Sequence, residues 1–200
     1  MPGPPPVRPD ESRMTLYTIG HGSRPIGEFI ALLRQARVEC LVDVRAFPAS
    51  RRHPQFARAA LQRLLAEAGI RYAWEGKDLG GRRQPAGDSP HIALKEPGFR
   101  AYADHMMSGE FSAALDRLVE LGAVSRAAIM CAERLPQECH RSLISDSLRA
   151  RGAEVLHLID SGPPAPHVFN PLARIEGEAS SMTEAASCRC FDPRPRVSME

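Results

Sequence analysis

The segment Ile129-Met130-Cys131-Ala132-Glu133-Arg134-Leu135-Pro136-Gln137-Glu138-Cys139-His140-Arg141-Ser142 gathers thiols, carboxylates, an imidazole and a guanidinium into one short stretch. An apolar, strand-like run delivers Cys131, a polar loop follows, and a helix is predicted over Ser142 to Arg151. At such a strand-to-helix turn the first backbone N–H groups of the helix have no partner within it and favour an anion. Arg141 and Ser142 would reinforce that preference. A thiol beside a helix N-terminus and a cation has a lowered pKa, which would make Cys131 a nucleophile; as a small buried residue it would instead be structural. His140 could move a proton, and Glu133 could orient or assist it. Cys131, Cys139 and His140 also raise a metal site, but a C-x7-C-H spacing fits no standard zinc pattern and no fourth ligand is evident. The sequence therefore calls for no metal and no cofactor, and anion binding is the stronger expectation.

Similar residues follow three other strand-like runs. His21, between Gly20 and Gly22, ends the first run and is a candidate general acid or base. The second run carries Asp43 and delivers Arg45, with Arg51 and Arg52 beyond Phe47-Pro48. A carboxylate inside an apolar run needs a partner, so Asp43 is expected to pair with Arg45 or another arginine and hold a ligand-facing arginine in place. Arg45 and Arg51 suit planar, bidentate recognition of phosphate or carboxylate. After the third run, Gly80-Gly81-Arg82-Arg83 could wrap an anion. Tyr72 and Trp74 on that run are expected in the core.

The intervening pattern tells which elements must position these groups. Leu16 to Ile19, Cys40 to Val44, Ile70 to Trp74, Ala127 to Met130 and Val155 to Ile159 read as buried strands. Helical spacing covers Ile26 to Arg37, Ala57 to Ala68 (closed by Gly69), Phe99 to Met107, Phe111 to Leu121 and Ser142 to Arg151. Glu75 to Pro97 reads as irregular, and the chain from Ser161 shows no period. Strands alternating with helices predict an α/β fold: a single-domain three-layer sandwich around a mainly parallel, Rossmann-like sheet of about five strands. Parallel strands with right-handed crossovers put all these turns on one edge, where open sheets bind ligands. Strand order does not follow from the pattern.

The chain has 200 residues, 43% hydrophobic and 25% charged, which suits one domain with a real core. Residues 1–13, rich in proline, read as a disordered leader; 14–175 as the domain; 176–200, with Cys188 and Cys190, as a mobile tail. A net charge of +2 is too small to argue for nucleic acid. Five cysteines without framework spacing, no secretory pattern and no membrane-length apolar run point to a reduced, cytoplasmic protein that does not enter membranes. Oligomeric state is not readable.

Four motifs in order, Thr18-Ile19-Gly20-His21, Val42-Asp43-Val44-Arg45 with Phe47-Pro48, Leu79-Gly80-Gly81-Arg82, and Cys131-Ala132-Glu133 with Cys139-His140-Arg141, resemble the domain-of-unknown-function 488 family. The resemblance spans about Thr15 to Arg174 and implies a compact α/β domain, without a settled reaction. A weaker likeness is to rhodanese-type domains, which share an Asp-x-Arg strand end and a strand-Cys-loop-Arg-Ser-helix arrangement. Here the loop is longer and lacks the compact, Gly-containing form, which counts against sulfur transfer.

Three functions are therefore open. The first is an enzyme acting on a phosphorylated small molecule, nucleotide or nucleic acid. The second is a non-catalytic nucleic-acid-binding module. The third is a rhodanese-like sulfur-transfer or metal-binding protein using Cys131 and Cys139.

Overall fold

A computed structural model describes residues 14–85, 87–176 and 196–199, with side chains reported through 173. The expected leader, and all of the expected tail except 176 and 196–199, lie outside the described residues; Cys188 and Cys190 are among those not described.

The elements, in chain order, are β1 (Thr15–Gly20), α1 (Ile26–Gln35), β2 (Cys40–Asp43), α2 (Arg58–Glu67), β3 (Arg71–Trp74), α3 (Gly76–Leu79), α4 (Pro97–Met106), α5 (Gly109–Val124), β4 (Ala127–Cys131), α6 (Arg141–Ala150), β5 (Glu154–Leu158), β6 (Ala165–Pro166), β7 (Ala173–Glu176) and β8 (Arg196–Met199). Short 3-10 turns at Pro54–Phe56 and Pro136–Glu138 punctuate the loops after β2 and β4. One six-stranded sheet has the order β3-β2-β4-β1-β5-β6. All its pairings are parallel except β5 with β6, and β7 and β8 form a separate antiparallel pair.

The α/β sandwich is therefore as expected, with two differences. The segment read as irregular contains the short helix α3. The aperiodic chain after Ser161 contributes β6, β7 and β8. Two-residue and four-residue elements give periodicity too little length to register.

Alternation along the strands builds the two outer layers. Tyr17, Ile19, Leu41, Ala128 and Met130 face Phe29 and Leu33 of α1 and Leu61 and Leu65 of α2. Leu16, Val42, Ala127, Ile129 and Val155 face Tyr102, Leu115, Leu118, Leu143 and Leu148 of α4, α5 and α6. Each fully buried Leu or Phe here contributes roughly 1.5–3 kcal/mol relative to an exposed one. With β1 to β5 parallel, their carboxyl ends share one edge.

A buried polar chain ties β1, β5, β6 and α6 together. An arginine only donates and a carboxylate only accepts, so the direction is set from both ends. Arg141 Nη1 donates to Thr18 Oγ1 at 3.5 Å, and Thr18 Oγ1 donates to His157 Nδ1 at 2.7 Å. His157 Nε2 then donates to His167 Nδ1 at 3.0 Å, and His167 Nε2 to Asp146 Oδ1 at 2.9 Å. All five side chains are buried. Burial, with the neighbouring His167 ring and the Arg141 charge beside it, lowers the His157 pKa to about 4.

His157 thus stays neutral in the folded protein while the unfolded chain takes a proton near the ordinary value of 6.5. The unfolded state binds more protons between those values, so stability falls as pH drops through that window and is complete above it. The expected slope is about 1.4 kcal/mol per pH unit from this residue. Urea midpoints measured between pH 6.5 and about 4 should show it, and His157→Gln should reduce the slope by this share while leaving that of His21, whose pKa is also lowered to about 4. An unchanged slope in the variant would contradict the relay.

Candidate functional site

The β4–α6 loop folds back over the end of β1. His21 N–H donates to the Cys131 carbonyl at 3.1 Å and Gly22 N–H to the Ala132 carbonyl at 2.8 Å, so the strands stay paired past their ends. Gly20 makes the approach possible: a Cβ there would sit 1.8 Å from the Glu133 carbonyl oxygen. Arg141 clamps the loop from inside. It is 1% exposed, and its Nη2 donates to the carbonyls of Glu133 at 2.8 Å and Arg134 at 3.2 Å. The expected anion ligand is thus turned inward and does not line the cavity. A long side chain on the first turn of a helix can point into the loop as readily as into solvent, and here two loop carbonyls accept from it.

A cavity of about 910 Å³ lies beside this loop. Its wall includes His21, Arg45, Gly81, Arg82, Cys131, Glu133 and His140 from the sequence expectation. Arg51, Gly80, Arg141 and Ser142 are not part of it. Arg51 is exposed, Gly80 is buried against Ala46, and the Ser142 hydroxyl donates to the Cys139 carbonyl at 3.0 Å. Arg52, His53, Phe47, Cys139 and Glu138 complete much of the remaining wall. His53 and Glu138 were missed; the available signal was their adjacency to Arg52 and Cys139.

Asp43 and Arg45 pair as expected. Asp43 Oδ1 accepts from Arg45 Nε at 2.9 Å and from its backbone N–H at 3.0 Å; Oδ2 accepts from Nη2 at 2.6 Å and from Tyr72 OH at 2.8 Å. Burial opposes the Arg45 charge, and the Asp43 carboxylate more than restores it, so its pKa is raised. Tyr72 and Trp74 serve this strand end rather than the deep core: both are half-buried, and Trp74 Nε1 donates to the Arg45 carbonyl at 2.9 Å.

His21 stacks on Phe56 at 4.4 Å. Its Nδ1 donates to the Gly22 carbonyl at 2.8 Å, which leaves Nε2 to accept from Arg45 Nη1 at 3.4 Å. Burial, assisted by the Arg45 and His53 charges and opposed by the Gly22 hydrogen bond, lowers its pKa to about 4. Both nitrogens are engaged and the ring is neutral near pH 7, with His21 on the cavity wall beside Arg45.

The thiols, by contrast, face one another. Cys131 Sγ donates to Glu133 Oε2 at 3.0 Å and lies 3.8 Å from His140 Nδ1; Cys139 Sγ is 3.6 Å from the same nitrogen. The hydrogen bond with Cys139 and burial raise the Cys131 pKa well above the ordinary thiol value. For Cys139 burial pushes the same way, but the hydrogen bonds with Cys131 and His140 and the charge of Arg141 outweigh it, and its pKa is well lowered. Of the two, Cys139 is the more acidic thiol. The Arg141 backbone N–H also donates to Cys139 Sγ at 3.4 Å, so that sulfur caps α6. Cys131, Cys139 and His140 bring their donor atoms within 4.8 Å of one another and could hold a metal ion.

Fold and site together define an α/β protein with a cavity at the carboxyl edge of a parallel sheet, walled by arginines and a thiol–imidazole cluster. The chain belongs to the family described as Domain of unknown function DUF488, which matches residues 25–148. That span starts after His21 and includes Arg45, Arg82, Cys131, Glu133, Cys139, His140 and Arg141. No match is found among curated proteins or among solved structures. No helix of the described residues is long and apolar enough to cross a membrane.

Two substitutions test the loop geometry. Arg141→Met leaves two loop carbonyls without their buried guanidinium donor and should cost about 1–3 kcal/mol. Gly20→Ala should cost about 1–3 kcal/mol, because the clash is with backbone. Chemical denaturation measures both; a loss of a few tenths of a kcal/mol in either would contradict the clamp.

Proposed function

We propose that the protein is an enzyme acting on a phosphorylated small molecule or nucleotide bound in this cavity. One observation carries the reading: a single cavity combines arginines from the turns after β2 and α3 with the thiol, imidazole and carboxylate cluster of the β4–α6 turn. Arg52 and Arg82 are exposed on its wall, and the Arg82 guanidinium lies 5.8 Å from the centre of the Phe47 ring, which links the two arginine-bearing turns. These two supply the phosphate contacts, while Arg45, mostly taken up by Asp43 and the Phe56 carbonyl, contributes a fixed positive field.

Glu133 is exposed and next to the cluster, which suits a group that exchanges protons with a bound substrate. His140 presents Nδ1 to the two sulfurs. Cys131, with its raised pKa, is a protonated wall of the metal-free site rather than a nucleophile.

The charge balance favours a small ligand over nucleic acid. Arg45, Arg52 and Arg82 on the wall face Glu96, Glu133 and Glu138. A polyanion would meet as much repulsion as attraction there, whereas a compact ligand can place its phosphate at the arginines and its reacting part at the cluster.

Titration calorimetry with inorganic phosphate, pyrophosphate and nucleoside mono- and diphosphates tests this. At least one should bind, and Arg52→Ala and Arg82→Ala should each weaken it by about tenfold, or ~1.4 kcal/mol. Binding indistinguishable from wild type in the double variant, or none at all in the wild type, would overturn the reading.

A further inference from the structure

We propose that Cys131, Cys139 and His140 form a zinc site whose fourth position opens into the cavity. Zn–S bonds of about 2.3 Å and Zn–N bonds of about 2.0–2.1 Å, set at tetrahedral angles, separate a sulfur from a nitrogen ligand by roughly 3.6 Å. The observed separations of His140 Nδ1 from the two sulfurs are 3.6 and 3.8 Å. All three donor atoms lie within 4.8 Å of one another, and both cysteines are buried.

The surroundings of the cluster suit a cation at its centre. His140 Nε2 lies 3.3 Å from the Val44 carbonyl, which can only accept, so that nitrogen carries the proton. With a metal in place of any Nδ1 proton, Nδ1 faces both sulfurs as a ligand would. A ligating histidine whose other nitrogen donates to a backbone carbonyl is the usual outer-shell arrangement of a metal site. The ring is held in place: it packs edge-on against Tyr102 at 5.0 Å, and a Cβ on Gly81 would come 2.5 Å from Nδ1. The Arg141 N–H donor to Cys139 Sγ would support a thiolate ligand in the same way. Glu133, 3.0 Å from Cys131 Sγ, is placed to take the proton that metal binding releases from that thiol.

Two thiolates and an imidazole select zinc over magnesium or calcium. Three protein ligands leave a fourth position for water or a ligand oxygen, which is the pattern of a catalytic rather than a structural zinc. The three residues line the cavity of the proposed function, so an oxygen of the bound substrate can reach that position. Only this last step rests on the phosphorylated-substrate reading; zinc binding stands apart from it.

The test uses the full chain. Elemental analysis should find one zinc per chain in protein purified without chelator. After chelation under reducing conditions, cobalt(II) should restore a tetrahedral ligand-field spectrum with thiolate charge-transfer bands. Cys139→Ser and Cys131→Ser, checked for fold by circular dichroism, should each lose it, while Cys188→Ser/Cys190→Ser should keep it. Absence of both zinc and a cobalt spectrum in reduced wild-type protein would overturn the site. So would a cobalt spectrum that survives Cys131→Ser and disappears with the Cys188 and Cys190 substitutions. Cobalt uptake without any phosphate binding supports the metal site and overturns the proposed substrate; phosphate binding without cobalt uptake does the reverse.

Discussion

A single buried guanidinium holds the functional edge of this protein together. Arg141 starts α6, reaches back under the β4–α6 loop and fastens two of its carbonyls. Without that donor the loop would have to carry its polar backbone to water, away from β1. With it, Cys131 at the end of β4 meets Cys139 and His140 at the start of α6, eight and nine residues further on. The buried charge is itself compensated at a distance. The relay through Thr18, His157 and His167 ends on the carboxylate of Asp146, one helical turn and more along α6. Loop, central strand, outer strand and helix are therefore locked by one polarised chain, and the site inherits its rigidity.

The second arginine of the edge works differently. Arg45 is held by a buried carboxylate two residues earlier on the same strand end, and the pair is braced by Tyr72 from β3. It can orient a field but has few donors left for a ligand. In the proposed function the ligand contacts fall to Arg52 and Arg82, which are exposed on the cavity wall. A preorganised centre flanked by exposed arginines matches a small anion that must be brought against fixed groups. The opposing glutamates limit how much negative charge the cavity accepts.

Much of this was legible in the sequence because chemistry and pattern coincided. His21, Arg45 and Cys131 each follow an apolar run directly, so a parallel sheet brings them to one edge in any strand order. Asp43 within Cys40–Val44 announced that it needs a cationic partner, since an unpaired carboxylate there is costly, but left open which arginine supplies it. What stayed hidden was direction. Nothing local tells whether Arg141 points to solvent or under its own loop, because the answer depends on which carbonyls the tertiary fold leaves unmatched. His157 and His167 sit in segments read as a core strand and an aperiodic tail, and their link to Asp146 exists only once β6 pairs with β5. The Cys131-x7-Cys139-His140 spacing matched no metal pattern because a 3-10 turn at Pro136–Glu138 shortens the path between its ends.

In the proposed function an anionic ligand meets the β4–α6 cluster in one cavity. Backbone amide NMR shifts during titration with pyrophosphate test it most directly. Saturable shifts are expected, grouped at Gly22, Phe47, Gly81, Arg82 and the loop from Cys131 to His140. Shifts that never saturate there, or that gather in the groove between α1 and α2 around Ile30, Arg34 and Leu64, would contradict it.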